Sequence, residues 1–306
     1  MRLIFIATGD IALPSFRHLL EHGPRPLALV TQPDKPVGRH QTLTPPAIKV
    51  EALAAGIPVY QPEKIGDITA ELATLEPEIL VVMAYGQILR KNILTLASHS
   101  IINLHASLLP KYRGAACIQA AIDAGDAETG ITAMHVVKQL DAGDMIVTKA
   151  IPITPEDTGG ILHDKLADLA PLAMAEALEK LAAGTADRIP QDEAAVSYIP
   201  KLEREDGKID WSQDAVAIER RIRAYDPWPG TYTLASEGGQ AKRLKIFPPV
   251  VALPQELPVG QVSTVDGRLV VGCGSGSLLL ETVQPDGGRR MSAADYLRGK
   301  KPESFS

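Results

Sequence analysis

"SIINLHASLLPKYRGA", residues 100–115, decides how this chain folds. Ile101 and Ile102 belong to an apolar run of the kind that forms a buried strand. Asn103 and His105, two residues apart, project to one face of an extended chain. A polar pair at the end of such a strand, with a proline and two cations just beyond it, needs a reason. Open α/β sheets supply one, because their ligands bind at the carboxyl ends of the parallel strands. A histidine on a strand is by itself more often structural than functional; its place at the strand end makes it a candidate here.

On both sides of this stretch, short β-rich runs alternate with amphipathic segments, the signature of an α/β fold with an open, mainly parallel sheet. The strand candidates are LIFIAT (3–8), PLALVTQ (26–32), EILVVMAY (78–85), SIINLHA (100–106), ITAMHVV (131–137) and MIVTKAIPI (145–153). Helices are predicted over 14–21, with a proline in the first turn, over 46–55 ended by Gly56, over 67–75, and over 158–183 ended by Gly184. Residues 185–209 are polar and without period, which reads as a linker. Beyond lie a helix over 214–224 and short β runs separated by Gly and Pro, whose economical arrangement is a small β-barrel. The expected domains are thus 1–184, a linker at 185–207, and 208–306.

With 306 residues and 45% hydrophobic content the chain can bury a large core, near the size at which single cores divide. Its net charge of −6 argues against a protein that coats nucleic acid over its whole surface. The charge is uneven: residues 1–206 carry 18 Lys+Arg against 26 Asp+Glu, and residues 207–306 carry 13 against 11. The second part can therefore offer basic patches to a polyanion. Cys117 and Cys273 are far apart and lack metal-like spacing, so neither a disulfide framework nor a zinc site is expected, and no metal is implied. The apolar start MRLIFIATGD is too short for a signal peptide and no run approaches a membrane span, so a soluble cytoplasmic protein is expected.

Other stretches carry chemistry beside an ordinary reading. In QLDAGDMI (139–146) small residues after Asp141 allow a tight turn into the next strand; Asp141 either fixes that turn or brings a carboxylate into a cleft. A carboxylate reaching His105 would stabilise an imidazolium and could take a proton from an attacking amine. The loop TQPDKPVGRHQTLTPPAIK (31–49) exceeds the roughly 2–6 residues usual for a βα connection, and it offers Lys35 and Arg39 to phosphate or is a solvated insertion. GCGSG (272–276) joins two β runs instead of opening a helix and reads as a turn; ATGDIALP lacks a GxGxxG fingerprint. Neither Ser107 nor Cys117 has the neighbours of a nucleophile.

NLHASLLPKYRGAACIQAAIDAGDAETGIT joined to LDAGDM resembles the folate-dependent formyltransferases. Within them TQPDKPVGR, GIPVYQPEKI, KLEREDGKIDW, RAYDPWPGTYT and GGRRMSAADYLRG resemble the members acting on methionyl-tRNA, over residues 3–299. The resemblance implies a Rossmann-type formyltransferase domain followed by an OB-like barrel. It implies formyl transfer from 10-formyltetrahydrofolate to the methionine α-amine of initiator methionyl-tRNA; a monomer is expected. By the same resemblance Asn103, His105 and Asp141 are catalytic, and Ser107, Leu108, Leu109 and Pro110 line the folate site. Lys35, Arg39, Lys242, Arg243 and Lys245 contact tRNA, with Arg220, Arg221, Arg223, Arg289 and Arg290 as further candidates. HQT follows Arg39, so the loop carries less positive charge than the resembled pattern. The competing readings are a formyltransferase for a sugar-nucleotide amine or glycinamide, and an inactive formyltransferase-like RNA-binding module.

Overall fold

A computed structural model describes residues 1–38, 41–265, 267–300 and 302–306. The chain falls into two compact units, one of Met1–Gly114, Thr129–Ile151 and His163–Tyr198, the other of Ala115–Glu128, Pro152–Leu162 and Ile199–Ser306. Their division at Tyr198 and Ile199 lies inside the stretch that sequence reads as a linker. Ala115–Glu128 and Pro152–Leu162 group with the second unit although they precede it in the chain.

Leu3–Ala7 and Ile79–Met83 are buried along their whole lengths, as strands covered on both faces must be. Leu3–Ala7 pairs in parallel with Ala28–Val30 on one side and Ile79–Met83 on the other; Ala28–Val30 pairs in parallel with Val59–Tyr60, and Ile79–Met83 with Ser100–His105. Two further strands, Glu128–His135 and Met145–Pro152, complete a seven-stranded sheet. The sheet is mainly parallel, as predicted, with Glu128–His135 antiparallel to Ser100–His105. The chain builds outward from Leu3–Ala7 to Val59–Tyr60 and then returns to its other flank at Ile79–Met83. That reversal is the switch point where open α/β sheets form a crevice, and Ser100–His105 ends beside it.

The helices Leu13–Glu21, with Pro14 in the first turn, Ala47–Ala54 and Gly159–Ala182 lie where the sequence places them. The region 67–75 becomes a 3-10 turn, Ile65–Ile68, running into the short helix Thr69–Ala73, after which Glu76 adopts a left-handed φ of 45° and ends it. Leu172 of the long helix is 58% exposed. Loop 31–49 contains a short antiparallel hairpin, Lys35–Val37 with Thr42–Thr44.

His135 pairs in register with Ile102, so it faces the side of the sheet opposite Asn103 and His105. Its Nδ1 lies 3.1 Å from Ser100 Oγ, while its buried Nε2 has no hydrogen-bond partner among the described residues. Burial, reinforced by Arg188 and His99 and opposed by Asp144, holds the imidazole below its ordinary pKa. Folding thus favours neutral His135, and the stability it contributes is present above the unfolded value of about 6.5 and is lost as pH falls through the lower folded value. The melting temperature is expected to drop between pH 7.5 and 5, and His135→Asn, which keeps a partner for Ser100, should drop less. Parallel melting curves for the two proteins would refute this.

The second unit is an antiparallel sheet whose ends meet. Val262–Val265, Arg268–Gly272, Ser277–Pro285, Gln240–Leu253, Thr231–Glu237 and Ser304–Phe305 follow one another in order. A bridge between Gln261 and Ser304, with Phe305 N donating to Gly260 O at 2.8 Å, brings the edges together into a nearly closed barrel. Pro248 and Pro249 lack donors, and the ladder shifts register between Phe247 and Val250. Helix Ala215–Ala224 is capped by Asp214, which accepts from Val216 N and Ala217 N. Its Ile218 and Ile222 join Trp211, Leu244, Ile246, Leu278, Leu280 and Phe305 in one core. Residues 272–276 form the turn between two of these strands; a Cβ on Gly274 would stand 1.9 Å from Ser212 O, so close backbone approach explains that glycine.

Candidate active site

Strand Ser100–His105 sorts its side chains by alternation. Ile102 and Leu104 are buried on one face, and Asn103 and His105 share the other with Met134 and Thr132 of the neighbouring strand. His105 Nε2 lies 2.8 Å from the carbonyl oxygen of Tyr112, which can only accept, so Nε2 carries the hydrogen. Its other nitrogen, Nδ1, faces Asp141 Oδ2 at 3.7 Å, with both side chains about nine-tenths buried. That is ion-pair range but beyond a hydrogen bond. The Asn103 carboxamide is partly exposed and has no hydrogen-bond partner among the described residues, which leaves its N–H donors for a ligand.

Asp141 is held on several sides. Its Oδ2 accepts from Gly114 N at 2.9 Å, and its main-chain oxygen accepts from Gln191 Nε2 at 2.8 Å. Its φ of 50° is left-handed, a conformation that aspartate tolerates better than most residues. Gly143 closes the turn against the sheet, where a Cβ would stand 1.7 Å from His135 O. The carboxylate is therefore carried to His105 by a turn that has almost no room to move.

Ser107, Leu108, Leu109 and Pro110 form the turn after the strand. Thr132 Oγ1 donates to Ser107 O at 2.7 Å and accepts from Leu109 N at 3.2 Å, while Ser107 Oγ donates to Lys111 O at 2.8 Å. Ser107 is fully buried and Leu109 is 6% exposed, so both shape the turn from within. Leu108 and Pro110 are partly exposed and present its surface. Among the described residues no three His, Cys, Asp or Glu side chains are grouped to hold a metal ion, and no helix is long and apolar enough to cross a membrane.

The cations proposed for tRNA differ in their surroundings. Arg39 lies outside the described residues. Lys35 is exposed on the hairpin, whose root is fixed by Asp34 bound to Gln61 Nε2 at 2.7 Å and Lys49 Nζ at 2.8 Å. Those two bonds, Gln61's first, hold the Asp34 carboxyl below its ordinary range. In the barrel, Arg243 lies over the Tyr232 ring at 3.6 Å, and exposed Lys245 shares its outer face. Arg290 stacks on Phe247 at 4.0 Å. Lys242 has the opposite parity and pairs with Glu237 at 3.5 Å. Arg221 is bound through two nitrogens to Asp123, and Arg223 to Glu219 and Asp157 O. Both arginines are committed to internal contacts of the second unit, which the sequence did not reveal.

Residues 1–178 match the model of the formyl transferase family, and residues 201–301 that of the formyl transferase C-terminal domain. The chain is 51% identical over 304 residues to a methionyl-tRNA formyltransferase of Akkermansia muciniphila, covering 98% of this chain and 96% of that one. With the protein of the same description from Moorella thermoacetica it shares 46% identity at the same coverage. Among solved structures, an N-formyltransferase from Helicobacter canadensis in complex with folinic acid and dTDP-3-aminofucose superposes with a TM-score of 0.69 at 18% identity, covering 92% of this chain and 98% of that one. HypX from Aquifex aeolicus in complex with tetrahydrofolic acid gives 0.64 at 18% identity, over 97% of this chain and 47% of that one. At such identities the superpositions establish the shared fold.

Proposed function

The chain belongs to the methionyl-tRNA formyltransferase family, and on that premise we propose that it moves a formyl group from 10-formyltetrahydrofolate to the α-amine of methionine on initiator tRNA. The observation that carries this reading is the imidazole of His105 facing the Asp141 carboxylate at 3.7 Å, beside the unpartnered carboxamide of Asn103 at a strand end.

In the reaction the amine nitrogen forms a bond to the formyl carbon and the carbon's bond to N10 of the folate breaks, so negative charge grows on the formyl oxygen between the two events. Asn103 donates its amide hydrogen to that oxygen. His105, with Nε2 fixed on Tyr112 O and Nδ1 turned toward Asp141, donates Nδ1–H to the same oxygen when the ring carries both hydrogens, and the Asp141 carboxylate beside it balances the ring's positive charge. Asp141 also receives, directly or through water, the proton that the attacking amine loses, and the departing N10 takes one up. Leu108 and Pro110 form an apolar wall for the flat pterin. Residues 1–184 carry the chemistry, and 208–306, with Lys35 and Arg39 of the insertion, hold the tRNA by its phosphates. This takes place in the cytoplasm, in a monomer, with no metal required.

The test is formylation of methionyl initiator tRNA with and without 10-formyltetrahydrofolate, beside a dTDP-amino sugar and glycinamide as acceptors. Folate-dependent formation of N-formylmethionyl-tRNA is the expected result. Formylation confined to either small amine, or no turnover with any acceptor while tRNA still binds, would overturn the reading in favour of its competitors.

A further inference from the structure

The stretch 185–207 looks like spacer in sequence, yet its first part is fastened to the catalytic unit. Met145 and Ile189 exchange backbone hydrogen bonds at 2.9 and 3.1 Å, and Arg113 N donates to Ser197 O at 2.8 Å. Between these anchors lies Gln191. Its Nε2 donates to Asp141 O and to Gly143 O, each at 2.8 Å, and its Oε1 accepts from Arg113 Nε at 3.0 Å. Arg113 is 1% exposed, and its other nitrogens reach Tyr198 Oη at 3.1 Å and Glu193 at 2.8 Å.

Arg113 also sits in the segment that touches both catalytic groups. Tyr112 O accepts from His105 Nε2, and Gly114 N donates to Asp141 Oδ2. One carboxamide thus joins the backbone that carries the carboxylate to the segment that orients the imidazole. We propose that Gln191 is a positioning residue, which fixes the distance between Asp141 and His105 by bridging the 141–143 turn to Arg113.

The proposal rests on the catalytic reading of Asp141 above, and its test separates the two. Gln191→Glu keeps the shape and the acceptor for Arg113 but replaces the donor to two carbonyls with an oxygen. If Gln191 only tied the strap down, this change would lower the melting temperature and leave kcat unmoved. A misplacement on the order of 1 Å at reacting groups can cost about a hundredfold in rate. Gln191→Glu is therefore expected to lower kcat by roughly tenfold to a hundredfold, with the KM for each substrate nearly unchanged, the pH profile of kcat displaced, and the melting temperature lowered by several degrees because two carbonyls lose their donor. On an Asp141→Asn background the same change should cost nothing further, because the two residues act as one unit. Wild-type kcat and pH profile in Gln191→Glu, a loss confined to KM or melting temperature, or an additive loss in the double variant would each overturn the proposal while leaving Asp141's role intact. Full activity in Asp141→Asn would instead overturn the catalytic reading and this inference together.

Discussion

His105→Ala is expected to reduce kcat by roughly 10³-fold or more while the protein stays folded. Two losses combine: the donor from Nδ1 to the charged oxygen, where removing one such donor costs about 10²–10³-fold, and the ring that faces Asp141 where it takes up the amine proton, a step in which acid–base partners contribute about 10²–10⁴-fold. The structural loss is smaller by comparison. The residue is 7% exposed and donates a hydrogen bond to Tyr112 O, so its removal costs that buried bond, about 1–3 kcal/mol, plus a small cavity. A cost of that size lowers the melting temperature of a unit this large by several degrees, about 2–4 °C per kcal/mol. Rate and melting temperature should therefore part company, and affinity for tRNA, set at the phosphates, should hold. A variant retaining more than a tenth of the turnover would remove His105 from the chemistry; one that unfolds at assay temperature would make it a core residue.

Why the pair Asn103 and His105 was legible and the rest of the site was not follows from where each part gets its order. The strand is written in period two, so polar side chains at its end break a pattern that sequence displays. Asp141 was visible as an aspartate ahead of small residues, but its meeting with His105 depends on the turn at 141–143 packing against the sheet, which local pattern does not specify. Gln191 was invisible. The 189–198 segment is ordered by side-chain bonds to distant backbone and by a buried arginine rather than by an apolar stripe, so its sequence has the composition of a spacer. Arg221 and Arg223 show the opposite limit, since an arginine bound to Asp123 or Glu219 reads in sequence like one facing solvent alone. The short helix Ala293–Gly299 and the strand Ser304–Phe305 were missed because elements of two to seven residues carry too little period to register.

The barrel's outer face leads to the second large effect. Arg243, Lys245 and Phe247 alternate outward along one strand, with Tyr232 beneath Arg243 and Arg290 above Phe247. Cations braced on rings hold their charge at a defined place with little side-chain freedom left to lose on binding. If each meets one phosphate, neutralising all three as Arg243→Gln, Lys245→Gln and Arg290→Gln should flatten the dependence of log affinity on log salt by about 2–3 units and weaken tRNA binding at 0.1 M salt by roughly 10²-fold. Lys242→Gln should do much less, because Lys242 lies at the other parity and is engaged by Glu237. Asn103, His105 and Asp141, the groups proposed for catalysis, belong to the other unit, so kcat at saturating tRNA should stay near wild type while KM for tRNA rises. An unchanged salt slope in the triple variant would show that this face does not touch the nucleic acid, and a collapse of kcat would show that it does more than hold it.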